Sequence, residues 1–136
     1  MPSSNTSSEP ARVLLVDDSE AMLARAAAAL TPECVVVGTV SNGRAALDAA
    51  RTLRPDVIVL DIAMPGMSGL KVASSLRDAG LSAVVVFLTV HGGEEFIQAA
   101  KGAGAMGYVV KPRLASDLRL AIREARAGRQ FVSAIL

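Results

Sequence analysis

The chain has 136 residues, 51% of them hydrophobic, 20% charged and 3% aromatic, which leaves room for one core built mainly from aliphatic side chains. A formal net charge of +1 and a pI near 7.9 exclude a global field that would hold nucleic acid or an anionic membrane, so any partner must be met through a local site. No apolar run approaches the roughly 20 residues of a membrane span, and the one cysteine, Cys34, cannot close an internal disulfide.

The opening "MPSSNTSSEP" has neither a basic start nor an apolar segment, so residues 1–10 are expected to be a flexible tail on a cytoplasmic protein. From residue 11 the elements alternate. The runs "RVLLV", "CVVVGTV", "VIVL", "AVVVFLT" and "GYVV" have strand character, and each is followed by apolar residues at three-four spacing. This is a (βα)5 rhythm. Strands apolar on both faces predict a parallel sheet covered by helices on either side, a three-layer α/β sandwich. Cys34, at the edge of the second run, is expected to be a small buried hydrophobe. Ser19, Asn42, Ser68 and Ser116 are candidate helix N-caps, and Pro55, Gly80 and Gly128 stand where helices should stop.

Two stretches resemble nucleotide chemistry without its context. "GAGAMG", Gly102 to Gly107, has the glycine spacing of a dinucleotide loop, but it ends a helical pattern and precedes a strand, the reverse of what that loop requires. "GGEEF", Gly92 to Phe96, resembles the diguanylate cyclase signature. That signature belongs to a hairpin, whereas here it leads into a helical period, and Glu94 and Glu95 fit the first turn of a helix.

In an open parallel sheet, functional groups gather at the carboxyl ends of the strands. The first strand ends in Asp17 and Asp18, the third in Asp61, the fourth in Thr89 and the fifth in Lys111. Carboxylates brought to about 5 Å repel by about 3 kcal/mol per pair at an effective dielectric near 20. Lys111 supplies one positive charge, and an all-oxygen cluster without histidine or cysteine suits a hard dication, Mg²⁺ being the natural candidate. Asp61 alone fits a cap on the following turn equally well. The combination of five polar groups closing four different strands, with "MPG" reading as a turn, favours a site.

The segments "LLVDDSE", "VIVLDIAMPGMSGL", "FLTVH" and "GYVVKP", in this order and spacing, resemble the receiver domain of bacterial two-component response regulators across nearly all of residues 11–128. The resemblance implies a flavodoxin-like sheet of order 2-1-3-4-5, an order for which the chemotaxis receiver is a standard example. It also implies that Asp61 is the phosphoacceptor, phosphorylated from a sensor histidine kinase. Asp17, Asp18, Asp61 and the backbone carbonyl of Ala63 would hold Mg²⁺, with Asp17 acting mostly through water. Lys111 and Thr89 would meet phosphoryl oxygens. Relatives carry a cis bond before the proline at Pro112, with trans left open here. Thr89 and Tyr108 would form the switch, altering the face made by the fourth helix, fifth strand and fifth helix; without the family pattern, Tyr108 reads as half-buried with its hydroxyl in water.

"TVHGGEEFIQAAKGAGAMGYVVK" and "AIREARAGRQFVSAIL" look most like the NarL/FixJ (LuxR-type) branch, whose members continue into a helix-turn-helix domain. Residues 129–136 are therefore expected to be a C-terminal extension or the start of a linker, with DNA bound only through a domain absent from this chain. A homodimer is open, through the alanine-rich first helix or the fifth-strand face. Ala63 and His91 flank the path of a hydrolytic water; alanine cannot orient it, which predicts slow self-dephosphorylation unless His91 assists, while the plainer reading of His91 is a solvated loop residue. The rival from another class is a phosphatase resembling the haloacid dehalogenase family, which needs a second acid where Ala63 stands. A flavodoxin-like binding module would want a phosphate loop where "DDSE" stands.

Overall fold

A computed structural model describes residues 9–134; the expected tail falls almost wholly outside them. The chain runs β1 (Arg12–Val16), α1 (Glu20–Leu30), β2 (Val35–Val40), α2 (Gly43–Leu53), β3 (Val57–Leu60), α3 (Gly69–Asp78), β4 (Val84–Thr89), α4 (Glu94–Gly102), β5 (Gly107–Val110), a 3-10 turn (Lys111–Arg113), α5 (Leu114–Arg126) and β6 (Phe131–Val132). The sheet is parallel, in the order β2-β1-β3-β4-β5-β6. The five-strand order stands, with a sixth strand added beyond it. Among the described residues no helix is long and apolar enough to cross a membrane.

The sheet divides the core in two. On one face Leu14, Ile58, Leu60 and Phe87 meet α2, α3 and α4 through Ala46, Val72, Leu76 and Ile97. On the other Val13, Leu15, Val59 and Val109 meet α1 and α5 through Ala26, Leu30, Leu118 and Ile122, with Cys34 buried beside them. Successive strand residues alternate between these clusters, which is why the central strands carry valine and leucine at every position. β2 departs from the expectation: as an edge strand it is half-covered, and Val35 is exposed.

Helix ends follow local chemistry. Ser19, Asn42 and Ser68 cap α1, α2 and α3, each side chain accepting a backbone N–H of the first turn. Ser116 is not a cap. The 3-10 turn runs straight into α5, which starts at Leu114, so Ser116 lies inside the first turn and its hydroxyl donates to the Arg113 carbonyl and to Asp117. Glu94 and Glu95 open α4 after Gly93, and Gly102 ends it; both nucleotide-like stretches are thus helix boundaries.

Candidate phosphoacceptor site

The pocket is assembled by strand ends held in register. Val16 pairs with Leu60 across β1 and β3, which sets Asp17 beside Asp61, and the Asp61 N–H donates to the Val16 carbonyl at 3.1 Å. Thr89 pairs with Val110, one residue short of Lys111. Strand ends of a buried sheet are the least mobile places to mount polar groups, so their convergence needs no loop rearrangement.

Asp17, Asp18 and Asp61 each bring a carboxylate oxygen within 4.8 Å of the others. Asp17 and Asp61 are buried, while Asp18 is open to solvent. The Lys111 ammonium bridges the two buried acids, 2.9 Å from Asp17 Oδ2 and 3.1 Å from Asp61 Oδ2. Burial alone would lower the Lys111 pKa; its hydrogen bonds to Asp17 and Asp61, with their charges, outweigh that and hold it above the ordinary value. The other oxygens are oriented too. Asp17 Oδ1 accepts the Ser19 N–H at 2.9 Å and Asp61 Oδ1 accepts the Ala63 N–H at 3.3 Å. One ammonium against three carboxylates leaves a formal excess of two negative charges, and hard oxygen donors with that excess fit a dication.

The loop after Asp61 is fixed by a glycine that its motif did not single out. The Gly69 N–H donates to the Ile62 carbonyl at 2.7 Å, and a Cβ at Gly69 would lie 2.0 Å from the Asp61 carbonyl oxygen. Only a residue without a side chain lets α3 start this close to the backbone of Asp61. Gly66, at φ +84°, makes the preceding turn.

Thr89 is fully buried, and its hydroxyl oxygen accepts the His91 N–H in a long contact of 3.4 Å. Tyr108 is not half-buried: it is 2% exposed, and its hydroxyl donates to the His91 carbonyl at 2.5 Å. The ring points into the sheet face it shares with Phe87, 6.4 Å away, so packing overrides the plain amphipathic reading. Burial, with the nearby Asp61 charge, pushes its pKa up to about 12. His91 is partly covered, its ring stacked on Phe96 at 4.4 Å, in place of the solvated residue expected. Lys111–Pro112 is trans; among the described residues the cis bond is Thr31–Pro32.

The sequence profile described as Response regulator receiver domain matches residues 13–123. The chain belongs to the response regulator receiver family. Similar proteins include the nitrate/nitrite response regulator protein NarL of Escherichia coli K12, 38% identical over 130 residues, covering 94% of this chain and 60% of that protein. The positive alginate biosynthesis regulatory protein of Pseudomonas aeruginosa is 40% identical over 127 residues, covering 90% of this chain and 50% of that one. The receiver thus spans about half to three-fifths of these relatives. Among solved structures, the signal receiver domain of a NarL response regulator from Mycobacterium tuberculosis superposes with a TM-score of 0.84 at 31% identity, covering 89% of this chain and 99% of that one. A LuxR-family response regulator from Aurantimonas gives 0.83 at 31%, covering 90% and 89%. These place the receiver in the NarL/LuxR branch, as a regulatory module. They lend no support to the phosphatase alternative.

Proposed function

We propose that Asp61 accepts a phosphoryl group from the phosphohistidine of a sensor histidine kinase, and that Asp17, Asp18, Lys111 and Thr89 serve this transfer. The observation that carries the reading is Lys111 seated between Asp17 and Asp61 at 2.9 and 3.1 Å, with Asp18 completing the acidic cluster. An Asp61 carboxylate oxygen attacks phosphorus, the phosphorus–nitrogen bond to the donor histidine breaks, and its electron pair returns to the imidazole. In this reading Lys111 pairs with an equatorial oxygen as charge spreads, and the buried Thr89 hydroxyl donates to another.

Asp17, Asp18 and Asp61, with the Ala63 carbonyl, are the proposed Mg²⁺ ligands, and the ion when bound supplies neutralising charge to the transferring group. The close approach of Gly69 to the Asp61 carbonyl, with the Gly69 N–H bonded to the Ile62 carbonyl, supports a fixed direction for the nucleophile.

Output follows from Thr89 and Tyr108. Drawing the Thr89 hydroxyl toward a phosphoryl oxygen competes with its weak contact to the His91 N–H, while Tyr108 holds the other side of the same residue. The affected surface is α4, β5 and α5. Its readers are an output domain of the kind found in longer relatives, here with control of transcription, or a second copy of the receiver; a cytoplasmic location follows from the kinase partner.

The test is intact-mass analysis after exposure to acetyl phosphate and Mg²⁺. One added phosphoryl group on the wild type, absent from Asp61→Asn, supports the reading; an equal gain by both, or none by either, rejects it.

A further inference from the structure

Phosphorylation as proposed above uses no residue beyond Lys111, yet the chain buries a hydroxyl well past it. Ser133 is 3% exposed, and its hydroxyl donates to Asp117 Oδ2 at 2.7 Å while accepting the Val110 N–H at 3.3 Å. Its own N–H donates to the Tyr108 carbonyl at 2.8 Å. Asp117 is in turn held by Arg113 Nε at 2.9 Å and by the Ser116 hydroxyl at 3.0 Å. Val110 immediately precedes Lys111 and Arg113 follows it by two residues. The segment after α5 is therefore fastened to both flanks of the lysine that bridges the acids.

The location explains why such a fastening matters. β5 ends at Val110, and the next three residues leave the sheet as a single 3-10 turn. β6, only two residues long, reaches no farther along β5 than Tyr108. Among the described residues no strand pairs with the outer edge of β5 past that point, and Ser133 Oγ takes the Val110 N–H that a longer strand would have received. Lys111 carries a flexible four-carbon stem, so the aim of its ammonium depends on where its backbone is held.

We propose that Ser133 is a positioning residue for Lys111, acting through Val110 on one side and through Asp117 and Arg113 on the other. The functional receiver then extends to residue 133, beyond α5. This rests on the phosphorylation reading. Coupling between two sites is reciprocal, so a phosphoryl group that draws on Lys111 also changes how firmly residues 131–133 are docked.

The experiment uses the full chain with acetyl phosphate and Mg²⁺, following the initial rate of mass gain in wild type, Ser133→Ala, Lys111→Ala and the double variant. Ser133→Ala is expected to slow phosphorylation about fivefold, the size of one lost buried hydrogen bond expressed on a rate. Its Mg²⁺ affinity, read from the metal-induced melting shift, stays that of wild type, and in the Lys111→Ala background it adds nothing. An unchanged rate, or the same fold-loss in both backgrounds, overturns the proposal, the second marking a merely structural role. Hydrogen exchange on the unaltered protein is independent of how the variants fold: protection of the Val110 and Ser133 amides must change on phosphorylation, and constancy overturns the proposal. A wild type that gains no phosphoryl group rejects the phosphoacceptor reading instead, so the two failures are distinct.

Discussion

The Tyr108 hydroxyl donates a hydrogen bond to the backbone carbonyl of His91, tying the inward aromatic of β5 to the loop that follows Thr89. Tyr108 is the one tyrosine and the chain has no tryptophan, so its ultraviolet titration is unobscured. With a folded pKa near 12 against an ordinary 10.0, the phenol should stay neutral well past pH 10 and ionise late or on unfolding. The sign follows: the neutral phenol's contribution to stability is complete below pH 10 and is lost as pH rises toward 12. Asp61→Asn removes one of the two causes and should shift the titration downward; a midpoint of 10 in the wild type would contradict the buried placement.

Metal should stabilise the receiver through the acidic cluster. Mg²⁺ at about a hundredfold above its Kd should add about 2.7 kcal/mol to unfolding. Asp18→Asn should raise the melting temperature of the metal-free protein, by easing repulsion within the cluster, and should largely remove the rise that Mg²⁺ produces. Melting curves with Mg²⁺ and with a chelator measure both effects.

Gly69→Ala and Gly66→Ala should separate a steric requirement from a conformational one. At Gly69 the new methyl meets the Asp61 carbonyl at 2.0 Å, and the group that must yield is backbone. A loss of about 3 kcal/mol is expected, with slowed phosphorylation because the nucleophile itself is displaced. At Gly66 the added Cβ meets nothing within 4 Å but the backbone is left-handed, so about 1 kcal/mol should be lost with the phosphorylation rate retained. Urea unfolding and mass-gain rates report the two quantities.

Asp117 should govern part of the acid limb of stability. Burial pushes its pKa up, but hydrogen bonds from Arg113, Ser133 and Ser116 and the Arg113 charge prevail, so it lies below the ordinary 3.8. Its contribution is present above that ordinary value and is lost as pH falls through the lower folded pKa. Asp117→Asn should be less stable than wild type at neutral pH and should show a flatter decline in acid, as measured by denaturant midpoints from neutral pH down into the acid transition.

The acyl phosphate should be long-lived. Ala63 offers no polar side chain, and the His91 ring is stacked on Phe96. His91→Ala should leave the phosphoryl lifetime unchanged, followed by mass after the donor is removed. A clear lengthening would assign the imidazole a part in hydrolysis.

Most of the sheet and all of the acidic cluster were legible because both are written as patterns: continuous aliphatic runs, each closed by a polar residue. What the sequence concealed depended on contacts between distant segments. Phe131 and Val132 are too few to announce a strand, and they become one only by lying along Gly107 and Tyr108. Tyr108 turns inward because Phe87 and the His91 carbonyl await it there, which no local period encodes. Ser116 looks like a cap until the preceding turn is seen to be helical already. One signal was present and unused. Asp117 falls on the buried stripe of α5 with Leu114, Leu118 and Ala121, where a carboxylate requires partners.

The two-residue β6 also guards the valine-rich sheet against its own kind. It occupies half the outer edge of β5, leaving only Val109 and Val110 beyond its reach, with Ser133 covering the Val110 amide. A chain cut after Gly128 would bare the whole four-residue ladder to any neighbouring molecule, an invitation to edge-to-edge stacking. Such a truncation would announce itself first as turbidity and fibrous precipitate, well before any change in secondary-structure content.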